Sequence, residues 1–345
     1  MLEPSTPQQD LRSPMPARAS SRVAASPDHQ ANIAAHLTRR DRWIARMCAE
    51  HRTLTSNQII HIAFPSRRAA NYRLQRLYQW RILDRFQPYI GRGRAPMFYV
   101  LDTAGAHLLA HEDGIEPRDL GFRAERSIGI AHSLRLAHLH GLNSLFTGLI
   151  RDALSHEDRA VTAWWSEARC TRHFGDIVRP DGYGRWAESD RAIEWFLEWD
   201  TGSYQLSRFV AKIPGYLELA ATTRIVTPLL AVFATNQREA HARQLLTEHL
   251  RSQPRRDDLP IATTTTEELD RAGTAAEAVW LPLPHGDAGR VRLVDLPTAW
   301  PNVGQTTASC QPPTSAAETS PVPRLSPPSP MPPFTQRELT WKPTE

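Results

Sequence analysis

Arg179-Pro180-Asp181, Glu198-Trp199-Asp200 and Lys212 follow one another within a short stretch of this chain, and their side chains can build a metal site. Carboxylates are hard oxygen donors of the kind that hold Mg²⁺, and such an ion activates water and neutralises charge developing on a scissile phosphate. Asp181, Glu198 and Asp200 are therefore the expected metal ligands. Lysine is otherwise almost absent: the 345 residues hold only Lys212 and Lys342. A lysine suits a catalytic post because its ammonium is a compact charge whose pKa responds to its surroundings, whereas arginine stays protonated. Lys212 is expected to orient the nucleophile or stabilise the phosphorane. The same residues also read as a solvated strand face, a Pro-Asp turn and a surface ion pair of little energetic value.

The elements that must position these groups follow from periodicity. Along 192–200 the alternation puts Glu194, Phe196, Glu198 and Asp200 on one face and Trp195, Leu197 and Trp199 on the other. The pattern predicts a long helix over 128–154, with Leu134, Leu139, Leu142 and Leu145 in its buried stripe. Strands are predicted over 160–168, 177–186 and 192–200, a helix over 203–222, a strand over 228–235 and a helix over 237–251. The order is α-β-β-β-α-β. A short helix at 267–271 and a strand at 276–283 extend it. Pro214 and Gly215 interrupt the helix that carries Lys212, so a kink is expected there. Glu167, Gln205 and Arg208 are lesser site candidates. His138 and His140 are two apart on the long helix and point to different sides, which argues against their chelating one ion together.

Between residues 31 and 101, thirteen arginines face three acids, a balance of +10 in a chain whose net charge is +4. Such a block suits an anionic partner, most simply a nucleic-acid backbone, though a solvated arginine-rich surface reads the same way. Thr38 with Asp41, Thr55 or Ser56, and Ser66 mark three helix starts. On the third helix Tyr72, Leu74, Leu77 and Tyr78 are expected to face the core, leaving Arg67, Arg68, Asn71 and Arg73 available. Two strands, at 82–89 and 97–101, flank the tip Ile90-Gly-Arg-Gly-Arg94. The unit reads as a winged helix-turn-helix closed by a helix at 103–110. Arg67, Arg68, Asn71 and Arg73 would enter a groove of double-stranded DNA while Arg92 and Arg94 cover the backbone. Protein docking is the alternative use of such a unit.

The ends differ in composition. Residues 1–30 and 299–345 are rich in Pro, Ser, Ala and Gln, and both are expected to be disordered tails. Polyproline II binding to a partner groove is an alternative for Ser326–Pro333. The expected organisation is a DNA-binding domain over 31–111, a polar linker over 112–127 and a second domain over 128–298. Cys48, Cys170 and Cys310 show no ligand or disulfide spacing, which suggests a reducing cytoplasm. No apolar run is long enough for a bilayer, so no membrane partner is expected.

Taken together, Leu37-Thr-Arg-Arg-Asp41, Arg73-Leu-Gln-Arg-Leu77, Arg179-Pro-Asp181, Glu198-x-Asp200 and Lys212 with Tyr216 resemble the PD-(D/E)xK nuclease superfamily. They resemble more closely the replication-relaxation family of actinobacterial plasmids and mobile elements. The resemblance implies an α+β chain with an N-terminal winged helix-turn-helix followed by a restriction-endonuclease-like domain. It also implies a role in plasmid replication, relaxation or transfer, with replication or conjugation proteins as partners and a homodimer as one arrangement. The superfamily's lysine usually lies two residues after the strand acid, where this chain has Asp200, so Lys212 stands in from the next helix. Two functions follow: a Mg²⁺-dependent DNA endonuclease or nickase, and a non-catalytic DNA-binding regulator or replication accessory factor built on the same scaffold.

Overall fold

The computed structural model describes residues 18–89, 93–251, 253, 259–283, 289–300, 303, 306–307 and 323–334. Among them the chain is a mixed α+β structure with thirteen α-helices and two sheets. No described helix is long and apolar enough to cross a membrane.

The first part begins with α1 (Ser21–Ala24) and α2 (Pro27–Ala34). Over 18–30 they place ordered structure where the sequence suggested disorder: Ala24 is buried, and Gln30 donates to the Ala24 carbonyl at 2.6 Å. In α3 (Arg39–Glu50) Thr38 and Asp41 form a reciprocal capping box. After β1 (Leu54–Thr55) comes α4 (Ser56–Ala63), where Thr55 and Gln58 form a second one. Phe64-Pro65 then stops the chain from continuing as a helix, and Ser66 caps α5 (Arg67–Gln79). Leu74 and Leu77 of α5 are fully buried as expected, but Tyr72 is 70% exposed and lies on the solvent face. Strands β2 (Leu83–Phe86) and β3 (Phe98–Leu101) pair antiparallel, and β1 adds to β3, giving the order β1-β3-β2. Helix α6 (Thr103–Glu112) closes the unit.

The predicted long helix is broken. α7 (Ala124–Ile128) and a 3₁₀ turn at Gly129–His132 precede α8 (Leu136–Leu154). The Ser133 hydroxyl accepts from the Arg135 N–H at 3.2 Å, a local bond that competes with helical pairing, and Leu134 stands 98% exposed instead of buried. β4 (Arg159–Ser166) ends where Ser166 caps α9 (Glu167–Phe174). The remaining order is β5 (Gly182–Glu188), β6 (Arg191–Asp200), α10 (Leu206–Val210), α11 (Ile213–Thr223), β7 (Leu229–Phe233) and α12 (Asn236–Arg251). Then follow β8 (Ile261–Thr265), α13 (Thr266–Ala272), β9 (Leu281–Leu283) and β10 (Thr306–Thr307).

The large sheet runs β4-β5-β6-β7-β8-β9, with β10 added to β6. Its β6-β7-β8 centre is parallel and its flanks are antiparallel. The alternation predicted for β6 holds. Trp195 and Leu197 enter a core shared with α8, while Phe196 enters a second core with Tyr216, Phe209 and Phe233 on the opposite face. Strand β8 was not anticipated because Thr263, Thr264 and Thr265 look polar, yet all three are fully buried. The Thr263 hydroxyl donates to Glu239 Oε1 at 2.6 Å.

Helix α8 also joins the two parts. Gln58 Nε2 donates to Ser144 Oγ at 2.9 Å, Asn143 Nδ2 donates to the Thr53 carbonyl at 2.7 Å, and Ser166 Oγ donates to Glu50 Oε1 at 2.8 Å. The His51 ring stacks on Trp164 at 3.6 Å; burial and then the Arg169 charge push its pKa down to about 3, which leaves it neutral. Leu120 and Phe122, in the stretch expected to be a linker, pack against the same core. Within the stretch expected to be a disordered tail, Thr306–Thr307 pairs with β6 and 323–334 packs on the N-terminal part.

Gly141 of α8 lets β6 approach, because a Cβ there would lie 2.3 Å from Cε2 of the Trp199 indole. Gly141→Ala is expected to lower stability by about 1–3 kcal/mol through overpacking, read as a lower midpoint in urea denaturation. An unchanged midpoint would overturn this account of the α8–β6 contact.

Candidate active site

The register of β5 on β6 pairs Gly182 with Leu197, so one step further Asp181 stands opposite Glu198. Both are buried, with 9% and 5% exposure. Pro180 restricts Arg179 to extended backbone, and Asp181 is then fixed by its own carboxylate: the Trp199 N–H donates to Oδ2 at 2.9 Å.

Glu198 lies near the end of a central strand, paired on the other side with Ala231 of β7. Its Oε2 accepts from Lys212 Nζ at 2.6 Å and its Oε1 from the Tyr216 hydroxyl at 2.6 Å. Lys212 also lies 3.6 Å from Asp181 Oδ1 and donates to the Arg179 carbonyl at 3.3 Å. The predicted helix over 203–222 is in fact two, and Lys212 is the residue before α11. Pro214 therefore sits in the first turn of a new helix, where its missing N–H costs no intrahelical bond. The kink expected beside Lys212 is a full helix break, which aims the lysine back toward β6.

The structure thus brings Asp181, Glu198 and Lys212 together and turns Asp200 away. Asp200 lines the same cavity, of about 350 Å³, but its carboxylate is held by Arg238 through Nε and, at 3.1 Å, through Nη2. Glu167 does not face the site either; it lies in the first turn of α9 and pairs with Arg135. Gln205 and Arg208 line the cavity and are exposed, with the Arg208 guanidinium 4.8 Å above the Tyr204 ring. Among the described residues no group of three His, Cys, Asp or Glu side chains forms a ready metal cage.

One neighbour escaped the sequence reading. His138, in the first turn of α8, places Nε2 at 3.5 Å from Asp181 Oδ2, and that nitrogen is buried without a hydrogen-bond partner. The divergence of His138 and His140 holds: His140 turns instead toward Gln58 and the Phe98 ring. Helix periodicity could separate the two histidines but carried no signal for which strand end would meet one of them.

Charge at the site is unbalanced. Burial, reinforced by the Asp181 charge, raises the Glu198 pKa from 4.5 to about 8 despite Lys212 and Tyr216. Burial opposes the Lys212 charge, but Glu198 and Asp181 outweigh it and hold the ammonium above its usual pKa. Burial and the Glu198 charge raise Tyr216 well above the usual phenol value, so it stays a neutral donor.

Residues 46–234, just over half of the chain, match the family model described as replication-relaxation. The chain belongs to the replication-relaxation family. The matched stretch runs from α3 to β7 and includes Asp181, Glu198, Asp200 and Lys212 of this replication-relaxation protein. Neither a curated protein nor a solved structure matches it.

Because the folded pKa of Glu198 lies above its ordinary 4.5, the folded state binds more protons than the unfolded state between pH 4.5 and about 8. Its contribution to stability therefore falls as pH rises through that window. Glu198→Gln cannot ionise, so its stability relative to wild type is expected to improve between pH 5 and pH 8.5 in denaturant titrations without metal. A difference independent of pH would overturn the assignment.

Proposed function

We propose that this replication-relaxation protein binds double-stranded DNA of a plasmid or mobile element and nicks it in a divalent-cation-dependent step during replication or relaxation. The observation that carries the proposal is the convergence of Asp181, Glu198 and Lys212 on one cavity at the end of β6. The order α8-β4-α9-β5-β6-α10-α11-β7 around them, which is the expected α-β-β-β-α-β with α9 inserted and the second helix divided, supports a restriction-endonuclease-like reading of residues 128–298, and α3, α4, α5 and β1–β3 support a winged helix-turn-helix reading of residues 31–111.

Mg²⁺ typically takes one or two carboxylates and keeps several waters, so Asp181 and Glu198 fit it as a pair. Asp200, expected as a third ligand, is engaged by Arg238 and is left out of the proposed set. The bound ion supplies Lewis acidity and an activated water. The chain's own residues do the rest. Tyr216 fixes Glu198, the Trp199 N–H fixes Asp181, and Lys212 offers its ammonium to a phosphate oxygen. His138 stands beside Asp181, with Nε2 at 3.5 Å from Oδ2, where it can help to hold that carboxylate.

DNA contact is assigned to Arg67, Arg68 and Asn71, exposed in the first half of α5, and to Arg94, exposed within the β2–β3 connection. Arg92 lies outside the described residues. Arg73 is withdrawn from this set. Its Nε donates to Asp41 Oδ1 at 2.8 Å and its Nη2 to the His36 carbonyl at 2.7 Å, so it serves the fold.

A second reading, a non-catalytic DNA-binding regulator or accessory factor, is favoured by one observation: Lys212 already neutralises Glu198 from within the protein at 2.6 Å. Supercoiled plasmid incubated with wild type and Mg²⁺ or Mn²⁺ decides between them. Nicking by wild type, reduced at least a hundredfold in Asp181→Asn, Glu198→Gln and Lys212→Met, supports the nuclease; salt-sensitive DNA binding without nicking supports the regulator.

The DNA face has its own test. Replacing Arg67 and Arg68 by Ala is expected to weaken binding and reduce the slope of log K against log salt by about 1–2, with thermal stability unchanged. Arg73→Ala is expected instead to destabilise the fold, by up to about 3 kcal/mol, because Asp41 is fully buried. Equal loss of binding in both, without loss of stability in Arg73→Ala, would return Arg73 to the DNA face.

A further inference from the structure

The C-terminal segment Arg324-Leu-Ser-Pro-Pro-Ser-Pro-Met-Pro-Pro-Phe334 lies along α3 without helix or strand structure. The Trp43 indole N–H donates to the Ser329 carbonyl at 2.8 Å. Arg46 Nη1 donates to the Ser326 carbonyl at 3.2 Å, and the Ser326 N–H donates to Asp113 Oδ2 at 2.7 Å. At the far end the Phe334 ring meets Trp43 edge-on at 6.1 Å. The Arg40 guanidinium lies between two rings, 4.6 Å from Phe334 and 5.2 Å from Phe64.

We propose that this face of α3 is a proline-rich-peptide-binding groove, and that the chain's own Arg324–Phe334 segment is its detachable ligand. The chemistry is that of polyproline recognition: an aromatic floor, an indole N–H on a ligand carbonyl, and a ligand whose prolines set φ before binding. A preset backbone loses little entropy on docking, so a few contacts suffice.

Two features mark the segment as a ligand rather than core. It meets the groove through backbone carbonyls, one N–H and the side chains Leu325, Met331 and Phe334, with Pro332 buried between the last two, while Arg324, Ser326, Pro327, Ser329 and Pro333 remain exposed. The segment, Arg40 and Trp43 lie outside residues 46–234, whereas Arg46, Phe64 and Asp113 of the groove lie within the stretch shared with the family. The sequence before it, Gln311-Pro-Pro-Thr-Ser-Ala-Ala-Glu-Thr-Ser-Pro-Val-Pro323, has the composition of a linker. A ligand on a linker of this length reaches an effective concentration on the order of millimolar, so modest intrinsic affinity keeps the groove filled in cis. The partner that fits the groove is a proline-rich peptide ending in an apolar and an aromatic anchor, spaced like Met331 and Phe334.

The test uses the full chain and a fluorescein-labelled synthetic peptide of residues 323–335, read by anisotropy. Wild type, already occupied, should bind it weakly, and a Met331→Ala, Phe334→Ala double variant should bind it at least tenfold more tightly. Adding Trp43→Phe, which removes the indole donor, should abolish that gain. Asp113→Ala, at the end of α6 and away from the core, should reduce it as well. A peptide that binds wild type and the double variant equally, binds neither, or is matched by a scrambled peptide of the same composition would overturn the proposal.

Discussion

The candidate site depends on a carboxylate, Glu198, buried in a central strand, where an ionised side chain without partners would be prohibitively costly. Every feature of the site answers that constraint. Tyr216 and Lys212 supply donors from the start of α11, and the helix break before Ile213 is what allows the lysine to turn back to β6. Asp181 adds a second negative charge opposite Glu198, so one ammonium leaves the cluster short of positive charge. Protonation of Glu198 answers both its burial and that imbalance within the chain, which is why its pKa is raised.

The cavity and the N-terminal unit are mechanically joined through α8. Its first turn carries His138 to Asp181, its next turn carries Gly141 against the Trp199 indole, and His140 and Ser144 meet Gln58 of α4. The backbone N–H of the same Trp199 holds Asp181. Contacts thus run without a break from α4 to the carboxylate pair through one helix and one strand residue.

Much of this was legible from residue types. Cap candidates at Thr38, with Asp41, and at Thr55 or Ser56 located α3 and α4, and the alternation of β6 placed Glu198 and Phe196 on one face and Trp195 and Leu197 on the other. What was lost followed from local rules yielding to tertiary context. Ser166 reads equally as strand end and helix cap, so α9 was missed and Glu167 misplaced. In β8, Glu239 and Arg243 satisfy Thr263 and Asn236 satisfies Thr265 from α12, while the Thr264 hydroxyl is buried without a hydrogen-bond partner. Shared strand face was necessary but insufficient for Asp200, since whether it joined Glu198 was decided by Arg238 of α12. The terminal segments were judged by their own apolar content, yet Phe334 uses Trp43 as its core.

The arginine-rich block shows why net charge misleads at the level of single residues. Arg42 and Arg46 pair with Glu112, Arg46 also with Asp113, Arg73 with Asp41, and Arg81 with Asp102. Three of these acids, Glu112, Asp113 and Asp102, lie just outside or at the far edge of the block that gave +10, so folding spends much of that charge internally. Arg67 and Arg68 differ because they occupy the first turn of α5, where Ser66 caps the helix and the next buried side chain is Ala70. Their positions, with Tyr72 one turn on and 70% exposed, leave a face able to meet a phosphate backbone. The outward positive charge of α5 is thus set by the arginines that the fold leaves unburied, and their placement follows from the cap that starts the helix.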